Sequence, residues 1–424
     1  MKRRRRVVVT GLGAVAPNGI GAGAFWSNLV AGRSGVGPIS LFDASAYPCR
    51  IAGEVRDFKP QQFMLPARVK HCGRFSQLAV AAARLALEDA GLDLNKVRPD
   101  RVRIGMGTSM AGIGDVTEHA RLGFAKSGFQ GIPVVSALEY SSHAPVAHAS
   151  SELGLKGQAM TLGSACTTGL DAVQWAAMQT ADGHGDVAFA GATDAPLADL
   201  AYATLSALRV LSTYDGHPSK ACRPYDLHRD GMVLAEGAAM VVLETLDAAL
   251  ARGAHIYAEV LGYGNGNEGG YGPETDASLR ASGRSAQRAL SDAIRAALAD
   301  AGLTSGDVDY INAHGNALRD YDLAETLAFK DAFGVHAYSI PISSNKSIIG
   351  HAMGAASALQ VVAACMTLQH GVIPPTINLE TPDPECDLDY VPLKARPARV
   401  RRVLINAHAM GGTHSVMILG APTS

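Results

Sequence analysis

The feature that most constrains this chain is an internal repeat, weak in identity but consistent in order, which points to two halves of one architecture. An alanine-rich stretch from Phe75 ends in Glu88-Asp89-Ala90-Gly91-Leu92, and another from Ser285 ends in Ala299-Asp300-Ala301-Gly302-Leu303. Both read as helices stopped by a C-terminal glycine. A short strand follows each, over residues 102–106 and 308–312. Next comes a strand, turn and helix of small residues, 160–179 around Gly163-Ser164-Ala165-Cys166 and 340–369 around Ser343-Ser344-Asn345-Lys346. Each half closes on an apolar strand, Met240-Val241-Val242-Leu243 in one and Val416-Met417-Ile418-Leu419 in the other. Alternating helices and uniformly apolar strands predict an α/β protein whose sheets are covered on both faces. The seam falls near Arg252-Gly253, giving units 1–253 and 254–424. Residues 112–142 and 265–282 lack clear periodicity and are candidates for cap or dimer loops.

Composition narrows the function. Of 424 residues 47% are hydrophobic and only 18% charged, below the usual ~25%, so exposed surface is scarce or hidden in an oligomer. A disordered chain and a coiled coil are excluded. Lys and Arg number 37 against 39 Asp and Glu, a net charge of −2; without a global basic field, nucleic acid is not the expected partner, and an acidic partner must meet a local basic patch. Lys2 to Arg6 followed by Val7-Val8-Val9 imitates a signal peptide. Thr10, Gly11, Gly13 and Asn18 interrupt the apolar run, so a strand entering a glycine turn is expected, with the arginines as a solvated tail. No stretch reaches the ~18 apolar residues of a membrane span. Cys49, Cys72, Cys166, Cys222, Cys365 and Cys386 are scattered, which fits neither a disulfide framework nor a CxxC metal site and predicts the reducing cytosol. His143 and His148 have nearly helical spacing but no HExxH-type carboxylate, so no metal is expected.

Chemistry concentrates at Cys166, where a strand ends and a helix begins, with Leu170, Val173 and Ala177 at core spacing and a stop near Gly183. Unpaired N–H groups and the positive end of the macrodipole favour a thiolate there. The other five cysteines read as buried structural residues. His314 follows a strand ending at Ala313, and α/β folds place active sites at the carboxyl ends of strands. His351 precedes the helix from Ala352, where the positive helix end disfavours imidazolium and a neutral ring can donate to an oxyanion.

The stretches Gly163-Ser-Ala-Cys166-Thr-Thr-Gly-Leu-Asp171, Asn312-Ala-His314-Gly and Ser344-Asn-Lys346-Ser-Ile-Ile-Gly350-His351 resemble the Cys-His-His site of β-ketoacyl-acyl carrier protein synthases. The resemblance covers nearly the whole chain: Val8-Val-Thr-Gly-Leu-Gly13, Arg223-Pro-Tyr-Asp226 with Arg229-Asp-Gly231, and Gly411-Gly-Thr413 fall in the family's order. It implies a duplicated thiolase-like fold, layered αβαβα with two mixed sheets, in an intimate dimer. The partner would be an identical chain or a noncatalytic chain-length subunit. Cys166 would carry an acyl chain received from an acyl carrier protein, and His314 and His351 would donate to the malonyl thioester as carbon dioxide leaves. Lys346, paired with Glu325, would hold the charge pattern. The backbone N–H groups of Cys166 and Met410 would receive the second oxyanion, within the supporting turn Met410, Gly411, Gly412 and Thr413. No cofactor beyond the carrier's own phosphopantetheine is implied, and Arg68, Lys70 and Arg74 are the candidates for carrier docking.

Two departures stand out. The family's His-Gly-Thr-x-Thr is here His314-Gly315-Asn316-Ala317-Leu318, which leaves the pantetheine contacts open. Its Phe-Gly-Phe-Gly-Gly-Thr gate is His408-Ala409-Met410-Gly411-Gly412-Thr413, so a different acyl pocket is expected. A specialised polyketide or polyene synthase is therefore read ahead of housekeeping fatty-acid elongation. A degradative thiolase would want a second cysteine near Met410, a starter synthase would show Cys, His and Asn, and a chain-length subunit would lack Cys166.

Overall fold

The computed structural model describes residues 4–269 and 283–422, and its halves repeat one strand order. Strands β1 (Val7–Ala16), β2 (Val102–Gly107), β3 (Ala159–Leu162), β4 (Val187–Asp194) and β5 (Gly237–Thr245) pair in the order β1-β5-β4-β2-β3. Strands β6 (Ala258–Asn267), β7 (Tyr310–Asn312), β8 (Ile342–Ser343), β9 (Arg402–His408) and β10 (Thr413–Gly420) pair as β6-β10-β9-β7-β8. In each half the last three strands of the order are parallel and the others antiparallel. A short ladder, Val8 with Glu259 and Val9 with Ala258, joins the two mixed sheets edge to edge.

The helices that matter are α1 (Arg74–Asp89), α2 (Asp115–Ser127), α3 (Ala144–Leu153), α4 (Thr168–Ala181), α5 (Gly283–Ala301), α6 (Arg319–Phe333) and α7 (Gly354–His370). Period-2 alternation sends the strand side chains into separate cores. Ala188, Val241 and Leu243 from one sheet and Val403, Ile405 and Met417 from the other enclose α4 and α7 in a central core. The opposite strand faces, with Val187, Phe189 and Val242, pack on α1 and α3, and Leu404, Val416 and Ile418 pack on α5 and α6. Both faces of each sheet are thereby covered, giving the αβαβα layering. Helix α7 is buried from Gly354 to Thr367, as a central layer requires. The Ala-rich helices approach their strands at glycines: a Cβ at Gly13 would lie 2.0 Å from the Ala82 carbonyl, and one at Gly264 2.0 Å from that of Ala293.

The arginine run differs from its expectation as a free tail. Arg5 donates to the Thr180 carbonyl at 2.6 Å, and Arg6 grips Glu259 with bonds of 2.6 and 2.5 Å. Residues 112–142 fold largely as helix, through α2 and Ser136–Glu139. They expose Phe129, Val134, Leu138 and Tyr140. Most of 265–282 lies outside the described residues. Among the described residues no helix is long and apolar enough to cross a membrane.

Candidate active site

Strand β3 empties into a turn in which Ala165 adopts φ +53°, a conformation that costs a non-glycine residue strain. Cys166 follows at once, in a helical turn leading into α4. Ser164 and Thr167 hydroxyls donate to Asp171 Oδ2. Tyr263 on β6 and Ser415 on β10 donate to its other oxygen at 2.6 Å. The turn that presents the thiol is thus tied to strands of the other half. Gly169 lets α4 approach α7, since a Cβ there would lie 2.3 Å from the Ala358 nitrogen.

The thiol is 3% exposed, packed with Leu205, Met232, Leu234 and Met353. Burial pushes its pKa up to about 12, aided by Asp194 and opposed by the Lys346 charge. The expected resting thiolate is therefore corrected: in the substrate-free enzyme, loss of hydration outweighs the helix start.

Both histidines are buried, their ring centroids 5.2 Å apart, and the Lys346 charge acts on both rings as it does on the thiol. His351 precedes α7, and its Nδ1 accepts the Met353 backbone N–H at 3.2 Å. His314 Nδ1 faces the His408 backbone N–H at 3.4 Å and Lys346 Nζ at 3.5 Å. With Nδ1 occupied as acceptor, the neutral His351 ring carries its proton on Nε2, whereas His314 Nε2 faces the Asn316 amide nitrogen at 3.4 Å. Burial, then the Lys346 charge, holds both well below the ordinary imidazole value, so neutral rings are the resting form.

Lys346 does not pair directly with Glu325, which corrects that expectation. Its Nζ donates to the His314 carbonyl at 2.6 Å. The Glu325 oxygens are taken by the N–H groups of His314 and Gly315 at 2.9 and 3.0 Å, by Asn406 at 2.5 Å and by the Tyr225 hydroxyl. The carboxylate instead fixes the loop carrying His314. Burial lowers Lys346 to about 8, with Glu325 opposing the shift across space.

The matches with known proteins agree with this geometry. Residues 4–249 match the family description Beta-ketoacyl synthase, N-terminal domain, and residues 257–380 the corresponding C-terminal domain. The chain belongs to the β-ketoacyl synthase family. It is 42% identical over 424 residues to the tetracenomycin polyketide synthase ketoacyl synthase alpha subunit of Streptomyces glaucescens, covering 99% of this chain and 97% of that one. It is 39% identical to the 3-oxoacyl-[acyl-carrier-protein] synthase 2 of Coxiella burnetii over 98% of both. The structure of the ishigamide ketosynthase/chain length factor superposes with a TM-score of 0.91 at 34% identity, over 99% of this chain and 100% of that one.

Asp194, Asp322 and the role of Arg229 are not legible in the sequence, whereas Asn316, His408 and Met410 are candidates there for the substrate pocket. Asp194, on β4, accepts Thr108 Oγ1 and the N–H groups of Ser109, Met110 and Gly354, clamping a loop to the start of α7. Asp322 accepts the N–H groups of Tyr225 and Asn316 at 2.9 and 3.1 Å and faces Arg229 Nε at 3.3 Å. The Arg223-to-Gly231 motif, noticed but given no role, is therefore the scaffold of the His314 loop. Asn316 lies 3.4 Å from His314 Nε2, and its Oδ1 accepts the Leu318 N–H at 3.1 Å. His408 is buried with its ring centroid 4.0 Å from that of His314, and neither ring nitrogen has a hydrogen-bond partner. Met410 packs beside the thiol's apolar surroundings. The turn below it is closed by Ala409 N–H to the Thr413 carbonyl at 2.8 Å and Gly412 N–H to that of Ala409 at 3.0 Å, and Gly411 lies between.

Of the docking candidates, Lys70 is exposed and Arg68 half-exposed, bonded to Glu152 at 3.0 Å. Arg74 is corrected: it clamps the buried Glu236 with two 2.6 Å bonds, which commits it to the fold of the synthase. His143 bonds Ser141 whereas His148 turns toward Cys72, so the two do not converge.

Proposed function

We propose that this synthase joins an acyl thioester on Cys166 to the malonyl unit of an acyl carrier protein, with loss of carbon dioxide, in polyketide or polyene biosynthesis. The observation that carries it is the pair of buried neutral imidazoles, 5.2 Å apart, in a site where the Lys346 charge acts on both rings and on the buried Cys166 thiol. In the first step the Cys166 sulfur attacks the carrier thioester, and its proton leaves with the carrier's thiol. In the second, the malonyl carbon–carboxylate bond breaks and the electron pair moves onto the thioester oxygen. The N–H donors of His314 and His351 stabilise that charge more in the transition state than in the substrate. The enolate carbon then attacks the acyl carbonyl. Its oxyanion lies against the backbone N–H groups of Cys166 and Met410, and collapse releases the cysteine sulfur. Lys346 supplies positive charge that balances Glu325 in a site where both are buried.

The polyketide reading draws on the tetracenomycin and ishigamide relatives and on His408 and Met410, which give the pocket mouth an unusual character. We assign as partner a ketosynthase-like chain-length subunit, by likeness to the ishigamide ketosynthase/chain length factor, and the exposed Phe129, Val134, Leu138 and Tyr140 of one segment are apolar side chains such an interface could cover. The carrier docks near Arg68 and Lys70, the synthase needs no cofactor of its own, and it works in the cytoplasm. The halves meet near Gly253 and fold as one unit. The test is to load purified wild type and Cys166→Ala with acyl carrier protein, add malonyl carrier protein and follow acylation and the β-ketoacyl product by mass spectrometry. A mark confined to Cys166 and no product from the variant are expected. Full condensation by the variant, or a mark on Cys222 or Cys365, overturns the assignment.

A further inference from the structure

Away from the condensation centre, Cys72 has surroundings that the structural role expected for it does not require. It lies in the turn before α1, with its Sγ 3.3 Å from Nδ1 of His148 on α3. His148 Nε2 meets Glu139 Oε1 at 2.5 Å. Glu139 is 1% exposed, and its other oxygen accepts the Gly73 N–H at 2.8 Å. Thiol, imidazole and carboxylate thus stand in sequence, each within hydrogen-bond reach of the next, in the arrangement that activates a nucleophile. Among the described residues no other cysteine makes a hydrogen-bond contact with a histidine ring. Contact with the thiol and then with Glu139 pushes His148 up to about 10, so it is an imidazolium at neutral pH. A cleft of about 300 Å³ is lined by Lys70, Cys72, Asp115 and His119 and, on its other wall, by Val135, Ser136 and Glu139 of the segment assigned above to the partner interface, so a small molecule would enter it in the unpaired chain.

We propose that Cys72, His148 and Glu139 form a second reactive thiol site, oxidised by small hydroperoxides. The thiolate attacks the terminal oxygen of the peroxide. An S–O bond forms as the O–O bond breaks, the sulfur gives up two electrons, and the departing alkoxide or hydroxide takes its proton from His148. The products are the Cys72 sulfenic acid and an alcohol or water. Glu139 anchors the ring through Nε2, with the sulfur alongside it at 3.3 Å from Nδ1 and 3.6 Å from Nε2. The site stands on residues separate from the condensing set and does not depend on the reading of that set.

The test uses the full chain as Cys166→Ala, which removes the other candidate nucleophile. Hydrogen peroxide is added with dimedone, which traps sulfenic acids, and peptides are quantified by mass spectrometry over time. Cys72 is expected to be marked on the order of tenfold faster than Cys49, Cys222, Cys365 or Cys386, and His148→Gln to remove most of that advantage. Glu139→Gln, expected to slow the mark in the same direction, is the second variant should His148→Gln misfold by circular dichroism. Equal marking of the cysteines in the parent protein overturns the proposal without any further variant. So does an unchanged Cys72 rate in a folded His148→Gln protein.

Discussion

Replacing His351 tests the chemistry of the site directly, because the backbone sets its tautomer. Met353 N–H donates to Nδ1 at 3.2 Å, which leaves Nε2 as the proton-bearing atom. His351→Ala would delete that donor and also strand the buried Met353 N–H, at about 1–3 kcal/mol of stability. His351→Asn separates the effects: its Oδ1 can accept the Met353 N–H, while nothing reaches the Nε2 position. Losing one preorganised donor costs about 10²–10³ in rate, or roughly 3–4 kcal/mol, and His314 remains to support residual turnover. The assay measures carbon dioxide release from malonyl carrier protein and, separately, acyl transfer to Cys166. Release should fall by about 10²–10³ in His351→Asn while acyl transfer persists. His351→Gln, whose longer amide can place a donor near Nε2, should recover part of the loss. Because burial holds the ring neutral, release by wild type should not decline between about pH 6 and 8, where a free imidazolium would titrate. Wild-type release by His351→Asn, or failure to acylate Cys166 with decarboxylation intact, would refute the donor role.

Charge reversal at Arg68 and Lys70 should slow carrier-dependent acylation strongly at low salt and weakly at high salt; an unchanged low-salt rate removes this patch from the account. Arg74→Ala should instead cost about 3–5 kcal/mol in urea denaturation, because it strands the buried Glu236 carboxylate. A loss below about 1 kcal/mol would contradict that. Burial lowers Lys346 from 10.5 to about 8, worth about 3 kcal/mol. The unfolded chain keeps its proton to higher pH, so stability relative to Lys346→Met should be lowest below about pH 8 and rise toward pH 10.5; a difference that stays flat across that range refutes the shift. Met410→Phe should change the ratio of kcat/KM for polyunsaturated over saturated acyl carriers, within the roughly 10 to 200-fold that reshaping an apolar pocket allows. Equal ratios in the two proteins reject the gate idea.

The candidate catalytic positions could be picked out in the sequence because three of them are announced locally. Cys166, His314 and His351 follow strands and precede turns or helices, and such junctions carry their signature in a few neighbouring residues. The duplication was legible for the same reason, since strand period and the paired Ala-Gly helix ends are short-range features. Arg74 was misread because its charge pattern looks like an exposed patch. Only the approach of Glu236, 162 positions away in the sequence, turns it into an internal clamp. The Lys346 expectation failed in a related way. Proximity to Glu325 was foreseen, but four donors from three other segments had already filled the carboxylate.

The sequence by itself determined the two-fold repeat and the α/β layering, and it singled out Cys166, His314 and His351 as candidates, because these depend on periodicity and on position after a strand; Lys346 came only with the family resemblance. Tertiary structure decided the rest: which nitrogen of His351 bears the proton, what Glu325 holds, how the sheets join through β1 and β6, and the burial that pushes the Cys166 thiol's pKa up. These are matters of what encloses a group, and desolvation and hydrogen-bond partners come from chain segments brought together only when the two halves close on their central helices.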